Sequence, residues 1–220
     1  MPEQTEIQDE WTEIAPGYDE YVTPSNMAIA EEALERSGLQ PGMQVLDVAA
    51  GSGALSIPAA RAGAQVLATD ISPAMVEHLE ARARDEGLST LEVRVMDGHA
   101  LELEDDTFDV AGSQFGVMLF PDLPQGLGEM TRVTRPGGRV LLVTMGPPAE
   151  IEFLEFFLGA VKATVPDFAA FRQTRRRYRS RWRIPRSCTG NWPTPVSRKF
   201  AWRRRIISWR FTPARSCGTG

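Results

Sequence analysis

Between Gln44 and Met145 the chain alternates short apolar runs with longer mixed segments, and this alternation is its main structural signal. Gln44–Val48 (QVLDV) is β-branched and apolar without period-two alternation, the pattern of a strand covered on both faces. The same pattern recurs in Gln65–Asp70 (QVLATD), in residues 91–96 (LEVRVM), in residues 108–115, and in the run around 140–143 that closes at Met145. Residues 56–62 read as a short helix stopped by Gly63, with Pro58 tolerable only in its first turn. Residues 25–37 read as a helix ended by Gly38, and 150–164 as the helix that follows the fifth strand. Arg135-Pro136-Gly137-Gly138 reads as the turn before that strand. Strands alternating with helices predict an α/β fold with a parallel sheet and right-handed crossovers. A ligand site is then expected at the carboxyl ends of the strands, near the point where strand order reverses.

The first three runs each bring a carboxylate to that end: Asp47 within the first, Asp70 closing the second and Asp97 directly after the third. After Asp47 comes a small-residue loop, Ala49-Ala50-Gly51-Ser52-Gly53, in which Gly51 and Gly53 leave room for a ligand to approach the backbone. The loop feeds the positive end of the following helix. It does not match the dinucleotide fingerprint G-x-G-x-x-G, because the third glycine, counted from Gly51, falls on Ser56. Ala49 stands where a first glycine would. A carboxylate at Asp47 suits a ligand with a cationic end and would repel a pyrophosphate. Asp70 suits a ribose diol, since a carboxylate accepts two hydrogen bonds. Asp97 suits an adenine amino group, with Gly98 next to it where bulk would block the ring. Taken singly, a Gly-Ser-Gly is an ordinary turn and an acid at a strand end an ordinary helix cap; all three in order are far more specific.

At these residues the chain resembles the class I S-adenosylmethionine-dependent methyltransferases. It is most similar to the small-molecule branch that includes the ubiquinone/menaquinone C-methyltransferases. The resemblance covers roughly residues 10–165 and rests on VLDVAAGSG, ATDISPAMVEHLEARA, VRVMDGHAL, DDTFDVAGSQFGVMLFPD and RPGGRVLLVTM. It implies a Rossmann-like core over residues 37–147 with an N-terminal helical cap over 1–36 and S-adenosyl-L-methionine as cofactor. It implies that Asp47, Gly51 and Gly53 surround the methionine portion, that Asp70 meets the ribose and Asp97 the adenine, and that Ala49, Ile71 and Gly98 belong to the same cofactor site. It places Gln114 where methyl donor and acceptor meet, and the W…A…YD segment around Trp11 and Tyr18 over the cofactor; a simple packing helix is the other reading of that segment. The region after the fourth strand, through Phe120-Pro121-Asp122, is expected either to line a pocket for a small organic, lipophilic acceptor or to pack as ordinary core. A nucleotide-cofactor oxidoreductase is the rival enzyme, weakened by the missing third glycine and by Asp47; an inactive truncated remnant of such a methyltransferase, or an RNA-binding methyltransferase using the basic tail, are the other readings. Methyl transfer needs alignment of donor and acceptor more than a base, and no catalytic residue or metal ligand is assigned. His78 reads as a solvated helix residue and His99 as a loop residue.

Charge changes the picture at one point. The formal net charge is −5, but residues 1–170 hold all 29 acids and 9 Lys or Arg, whereas 171–220 hold 15 Lys or Arg and no acid. Four of the five Trp and both Cys also lie beyond residue 171. Three readings account for this break. The tail is a nucleic-acid-binding arm with Arg and Trp interleaved, a disordered basic arm, or the product of a shifted reading frame over the last 46 or so residues. The third is favoured, because the resemblance implies two further strands to finish the sheet and nothing in 171–220 resembles them. Back-translation from the second nucleotide after the start of the Arg175 codon yields a string with a helix and alternating strand runs. Residues 148–170 are then a helix following a core that lacks its last two strands, and nucleic acid is a partner only if the tail is genuine. The acidic N-terminal stretch and the lack of any long apolar run favour a cytoplasmic protein without a membrane span. Cys188 and Cys217 form neither a metal spacing nor a disulfide framework.

Overall fold

The computed structural model describes residues 2–146 and 204–210. Two compact units are distinguished, Met1–Val143 with Ile206–Gly220, and Thr144–Arg205; of the second, only residues 144–146 and 204–205 are described. The N-terminal part is helical, as expected: α1 (Pro2–Gly17), a π-helical turn (Tyr18–Val22) and α2 (Thr23–Ser37). α2 stops because Gly38 adopts a left-handed conformation, φ 69°, and returns its N–H to the carbonyls of Leu34 and Glu35.

The core follows as β1 (Gln44–Val48), α3 (Ser56–Arg61), β2 (Gln65–Asp70), α4 (Pro73–Asp85), β3 (Leu91–Val95), β4 (Phe108–Gln114), a 3-10 turn (Val117–Leu119), α5 (Leu123–Val133) and β5 (Thr134–Met145). The strands pair in parallel in the order β3-β2-β1-β4-β5. Strand order reverses between β1 and β4, so the crevice expected at a switch point opens above these two. The caps are local: the Ser72 and Asp122 side chains accept the N–H groups of Met75 and Gln125 at the starts of α4 and α5.

Burial explains why the strand runs lack polar alternation. Val45 faces a core with Ile29, Leu34, Leu55, Val110 and Leu141, while its neighbours Leu46 and Val48 face a second core with Met130, Val133 and Leu142. Both faces of the sheet are thus apolar and covered by helices. β3 is the partly exposed exception, with Glu92 and Arg94 paired on its surface.

Two details differ from the sequence reading. The Arg135–Gly138 turn does not precede β5 but bulges out of it, between the Phe108↔Thr134 and Val110↔Arg139 pairs, with Gly137 at φ 82°. The edge beyond β5 carries a sixth strand, β6 (Arg204–Arg210), drawn from the basic tail. The sheet expected to lack two final strands therefore has one strand in that position. The helix expected at 150–164 and the rest of the tail lie outside the described residues.

Candidate cofactor site

One cavity of about 380 Å³ opens at the carboxyl ends of β1 to β4. It is lined by Asp47, Ala49, Gly51, Asp70, Ile71, Asp97, Gly98, Gln114 and Tyr18, which is every residue singled out from the sequence except Gly53.

Asp47 is fully buried, and only its Oδ2 is paired, accepting the Ser56 hydroxyl at 2.5 Å; its Oδ1 has no partner. Burial pushes its carboxyl up to about 7, against the opposing bond from Ser56 and with help from the nearby Asp70. Asp70 is tied down differently. Its Oδ2 accepts the Gly51 N–H at 2.8 Å and its Oδ1 the Ser72 N–H at 2.9 Å. Burial raises its pKa too, and these backbone bonds counteract the rise. The acid that ends β2 therefore anchors the loop that follows β1. A second pin is the buried contact of 2.6 Å between the hydroxyls of Thr23, on α2, and Ser52 in that loop.

The small residues of the loop have different reasons to be small. Ala49 takes a left-handed conformation, φ 56°, and a Cβ at Gly116 would fall 2.5 Å from its own Cβ. That conformation explains why glycine would be at ease at position 49. At Gly51 an added Cβ would meet only Tyr18 Cε1, at 3.8 Å. At Gly53 it would come within 2.3 Å of Leu79 Cδ1 and 3.0 Å of Ile57 Cγ1. Gly53 thus packs the loop against α4 and does not line the cavity. Gly98 lines the cavity, but a Cβ there would meet protein, 2.5 Å from Phe120 Cζ and 2.8 Å from Val48 Cγ1.

The N-terminal helices supply the roof through Ile7, Trp11 and Tyr18. Trp11 and Tyr18 meet edge to face at 5.8 Å. The Tyr18 hydroxyl is raised in pKa chiefly by burial, which the Asn26 side chain opposes and Asp70 reinforces. The roof is fastened to the β2–α4 junction: Gln8 Nε2 donates to the Ile71 carbonyl at 3.0 Å, and Arg82 and His78 on α4 approach the two carboxylate oxygens of Asp19 at 2.5 and 3.5 Å.

Gln114 ends β4 with its Nε2 donating to the Asn26 carbonyl at 2.8 Å. A carbonyl can only accept, so the amide orientation is fixed, and Oε1 is left buried without a partner. Asp97 Oδ1 accepts both the backbone N–H and the ring Nδ1 of His99, at 2.9 and 2.8 Å. The His99 ring lies on Phe120, centroids 4.4 Å apart, with its Nε2 buried and unpaired. His99 is a loop residue, as the sequence reading has it, but one that lines the cavity. Asn26 and Phe120 line it as well. Nothing in the sequence marks Asn26, whose contribution comes from a contact 88 residues along the chain.

Four buried side-chain atoms lack partners among the described residues, and two of them, Asp47 Oδ1 and Gln114 Oε1, are acceptors on cavity-lining residues. The cavity therefore suits a ligand that brings hydrogen-bond donors and a positive charge. An α-amino acid joined to an adenosine has both, and the residues present fit it. Among the described residues no group of acids, His or Cys could hold a metal ion, and no helix is long and apolar enough to cross a membrane.

The chain is similar to known methyltransferases. Residues 45–138 match the family model described as "Methyltransferase domain". The chain is 35% identical over 137 residues to nocamycin O-methyltransferase of Saccharothrix syringae, covering 61% of this chain and 48% of that one. It is 29% identical over 170 residues to demethylmenaquinone methyltransferase of Streptomyces avermitilis, covering 74% and 71%. A solved putative S-adenosyl-L-methionine-dependent methyltransferase of Methanococcus maripaludis shares the fold, with a TM-score of 0.67 at 21% identity over 93% of this chain and 95% of that one. The chain spans about half the length of the curated relatives it matches at 35–41% identity.

Proposed function

We propose that this chain is a class I S-adenosylmethionine-dependent methyltransferase that methylates a small organic acceptor, a reading supported by the match of residues 45–138 to a methyltransferase domain. The observation that supports this best is the Asp47–Asp70 pair at the switch point, one carboxylate with an unpaired buried oxygen and the other holding the glycine loop in place. In this reading Asp47 receives the ammonium end of S-adenosylmethionine, Asp70 and Ile71 bound its ribose, and the Asp97–Gly98–His99 turn bounds its base. Tyr18 and Trp11 close over it and limit access of water. The cofactor supplies an electrophilic methyl on a sulfonium that is already a good leaving group. The chain's own contribution is to hold donor and acceptor in line, which accounts for much of the acceleration in such a reaction. No base is assigned.

For the acceptor, the wall formed by Trp11, Phe115, Leu119, Phe120 and Pro121 supports a molecule with substantial apolar surface. The orphaned Gln114 Oε1 supports an acceptor that presents a hydroxyl or amine hydrogen. Relatives named for a nocamycin oxygen and for demethylmenaquinone are compatible with such a class. The test is release of S-adenosylhomocysteine from S-adenosylmethionine with a panel of phenols, quinols, hydrophobic amines and charged polar metabolites. Turnover with at least one and with no charged polar metabolite is the expected result. Turnover confined to charged metabolites would contradict the apolar pocket. Binding of RNA through the basic tail rests on residues outside those described and is not part of this reading.

A further inference from the structure

We infer that the site selects its acceptor by charge: it favours an apolar molecule that carries a positive group, admits a neutral one less readily, and turns an anion away. The inference rests on the methyltransferase reading above and deepens it, adding the sign of the acceptor's charge to its apolar surface.

The bases of the fold stand at the end of the sheet away from the cavity. Residues 2–146 hold eight Arg and no Lys. Arg36, Arg61, Arg84 and Arg132 stand in the last turns of α2, α3, α4 and α5. Each of these helices leads into the start of a strand, so its last turn lies at the amino ends of the strands. A basic last turn complements the helix dipole, which accounts for these four. Arg135 and Arg139 stand in the first half of β5, at the level where β4 begins. The remaining two, Arg82 and Arg94, are paired with the carboxylates of Asp19 and Glu92, at 2.5 and 2.6 Å. None of the eight lines the cavity at the carboxyl ends.

What lines the cavity is acidic and aromatic. Asp47, Asp70, Asp97 and Asp122 border it, and His99, its one imidazole, lies 2.8 Å from Asp97 Oδ1. The N-terminal helices continue the same sign: residues 1–35 hold ten acids and no Lys or Arg, with Asp9, Glu10 and Glu13 of α1 exposed. A cleft lined by one sign of charge focuses its field on whatever enters. The rings of Trp11, Tyr18, Phe115 and Phe120 line the same space, and an aromatic face also attracts a cation. S-adenosylmethionine meets this field with a net positive charge. S-adenosylhomocysteine is a zwitterion and leaves the field uncancelled for a second ligand. An acceptor carboxylate or phosphate finds no Arg or Lys among the described lining residues and is repelled. A protonated amine on an apolar body is attracted, and the atom to be methylated is then a different, uncharged one.

Asp122 is the exposed member of the four acids. Its Oδ1 caps α5 by accepting the Gln125 N–H at 3.0 Å, a task that asparagine performs as well. Its charge can therefore be removed without removing the cap.

The probes are tryptamine, tryptophol and indole-3-propionate, which share an indole and a short arm and end in a cation, a neutral hydroxyl and an anion. The full chain, saturated with S-adenosylhomocysteine, is titrated with each by calorimetry at two salt concentrations. At about 0.02 M the screening length is roughly 20 Å, and at about 0.5 M roughly 4 Å. The expected result is at least about tenfold tighter binding of tryptamine than of indole-3-propionate at the lower salt, with tryptophol between them. That ratio should fall to about threefold or less at the higher salt. Asp122→Asn should lower the low-salt ratio by about half or more and leave tryptophol unchanged. A purely structural Asp122 would weaken all three probes alike. A low-salt ratio below about threefold, a ratio that neither salt nor Asp122→Asn changes, or binding of none of the three overturns the inference while the cofactor reading stands. Failure of the unmodified, folded protein to bind S-adenosylhomocysteine overturns both.

Discussion

The carboxylate of Asp70 accepts the backbone N–H of Gly51 at 2.8 Å, so the acid that ends the second strand holds the loop that follows the first. Its other oxygen holds the Ser72 N–H at the start of α4. Asp70 thus shapes the site before it meets any ligand. Because burial raises its pKa, the charge itself is not a source of stability in the unliganded protein. Asp70→Asn offers one acceptor and one amide donor where the carboxylate accepts two backbone N–H groups, so it is expected to melt below the unmodified protein and to bind S-adenosylhomocysteine at least about tenfold more weakly. Thermal melting and calorimetry on the same preparation check both halves. A large drop in melting temperature without a change in affinity would make Asp70 purely structural.

Asp47 has a pH signature. Its carboxyl titrates near 7 in the folded chain, against 3.8 for the ordinary side chain. Between those values the unfolded state binds fewer protons than the folded state at this site, so stability falls as pH rises from about 4 to about 7 and is level above. The full difference corresponds to roughly 4 kcal/mol. Stability of the unmodified protein minus that of Asp47→Asn is therefore expected to decline across this window. A ligand ammonium next to Asp47 favours its charged form, so binding at pH 6 should release a proton. Calorimetry in two buffers of different ionisation enthalpy measures that release, which Asp47→Asn should abolish.

Gly51 and Gly53 should respond differently to the same change. Gly53→Ala forces a methyl to within 2.3 Å of Leu79 Cδ1 at φ 100°, and is expected to destabilise the fold by about 2 kcal/mol or more. Gly51→Ala meets no closer atom than Tyr18 Cε1 at 3.8 Å and bears only the left-handed backbone cost, about 1–2 kcal/mol. Its larger effect is expected on ligand affinity, since Gly51 lines the cavity and Gly53 does not. Chemical denaturation and ligand titration of the two variants separate these effects.

The roof over the cavity is fastened through Asp19, which faces Arg82 and His78 on α4. Removing it by Asp19→Ala is expected to cost roughly 1 kcal/mol of closure and to speed dissociation of S-adenosylhomocysteine about fivefold, read by stopped-flow competition. An unchanged dissociation rate would mean that the N-terminal helices do not gate the site.

Much of this arrangement was legible in the chain. Strand runs such as Gln44–Val48 announce themselves because both faces of the sheet are covered, and the three acids because a parallel sheet brings its strand ends together. The remainder depends on contacts that sequence spacing does not carry. Gly53 and Gly98 look like room for a ligand, but each is small because a side chain from elsewhere, Leu79 or Phe120, occupies the space. Asn26 is unremarkable on its helix until Gln114, on β4, reaches its carbonyl. His99 reads correctly as a loop residue, yet spacing alone does not show that its ring lies on Phe120 and lines the cavity. The bulge at Arg135–Gly138 reads as a turn because local residue types cannot show that pairing with β4 resumes on both sides of it.

The central claim is that the cavity above β1 and β4 takes S-adenosylmethionine. Calorimetric titration of the folded chain with S-adenosylhomocysteine, with NAD as control, tests it most directly. Saturable binding of the first, abolished by Asp70→Ala, with no binding of NAD is the expected result. Binding of NAD, or no binding of S-adenosylhomocysteine by protein shown to be folded, would contradict it.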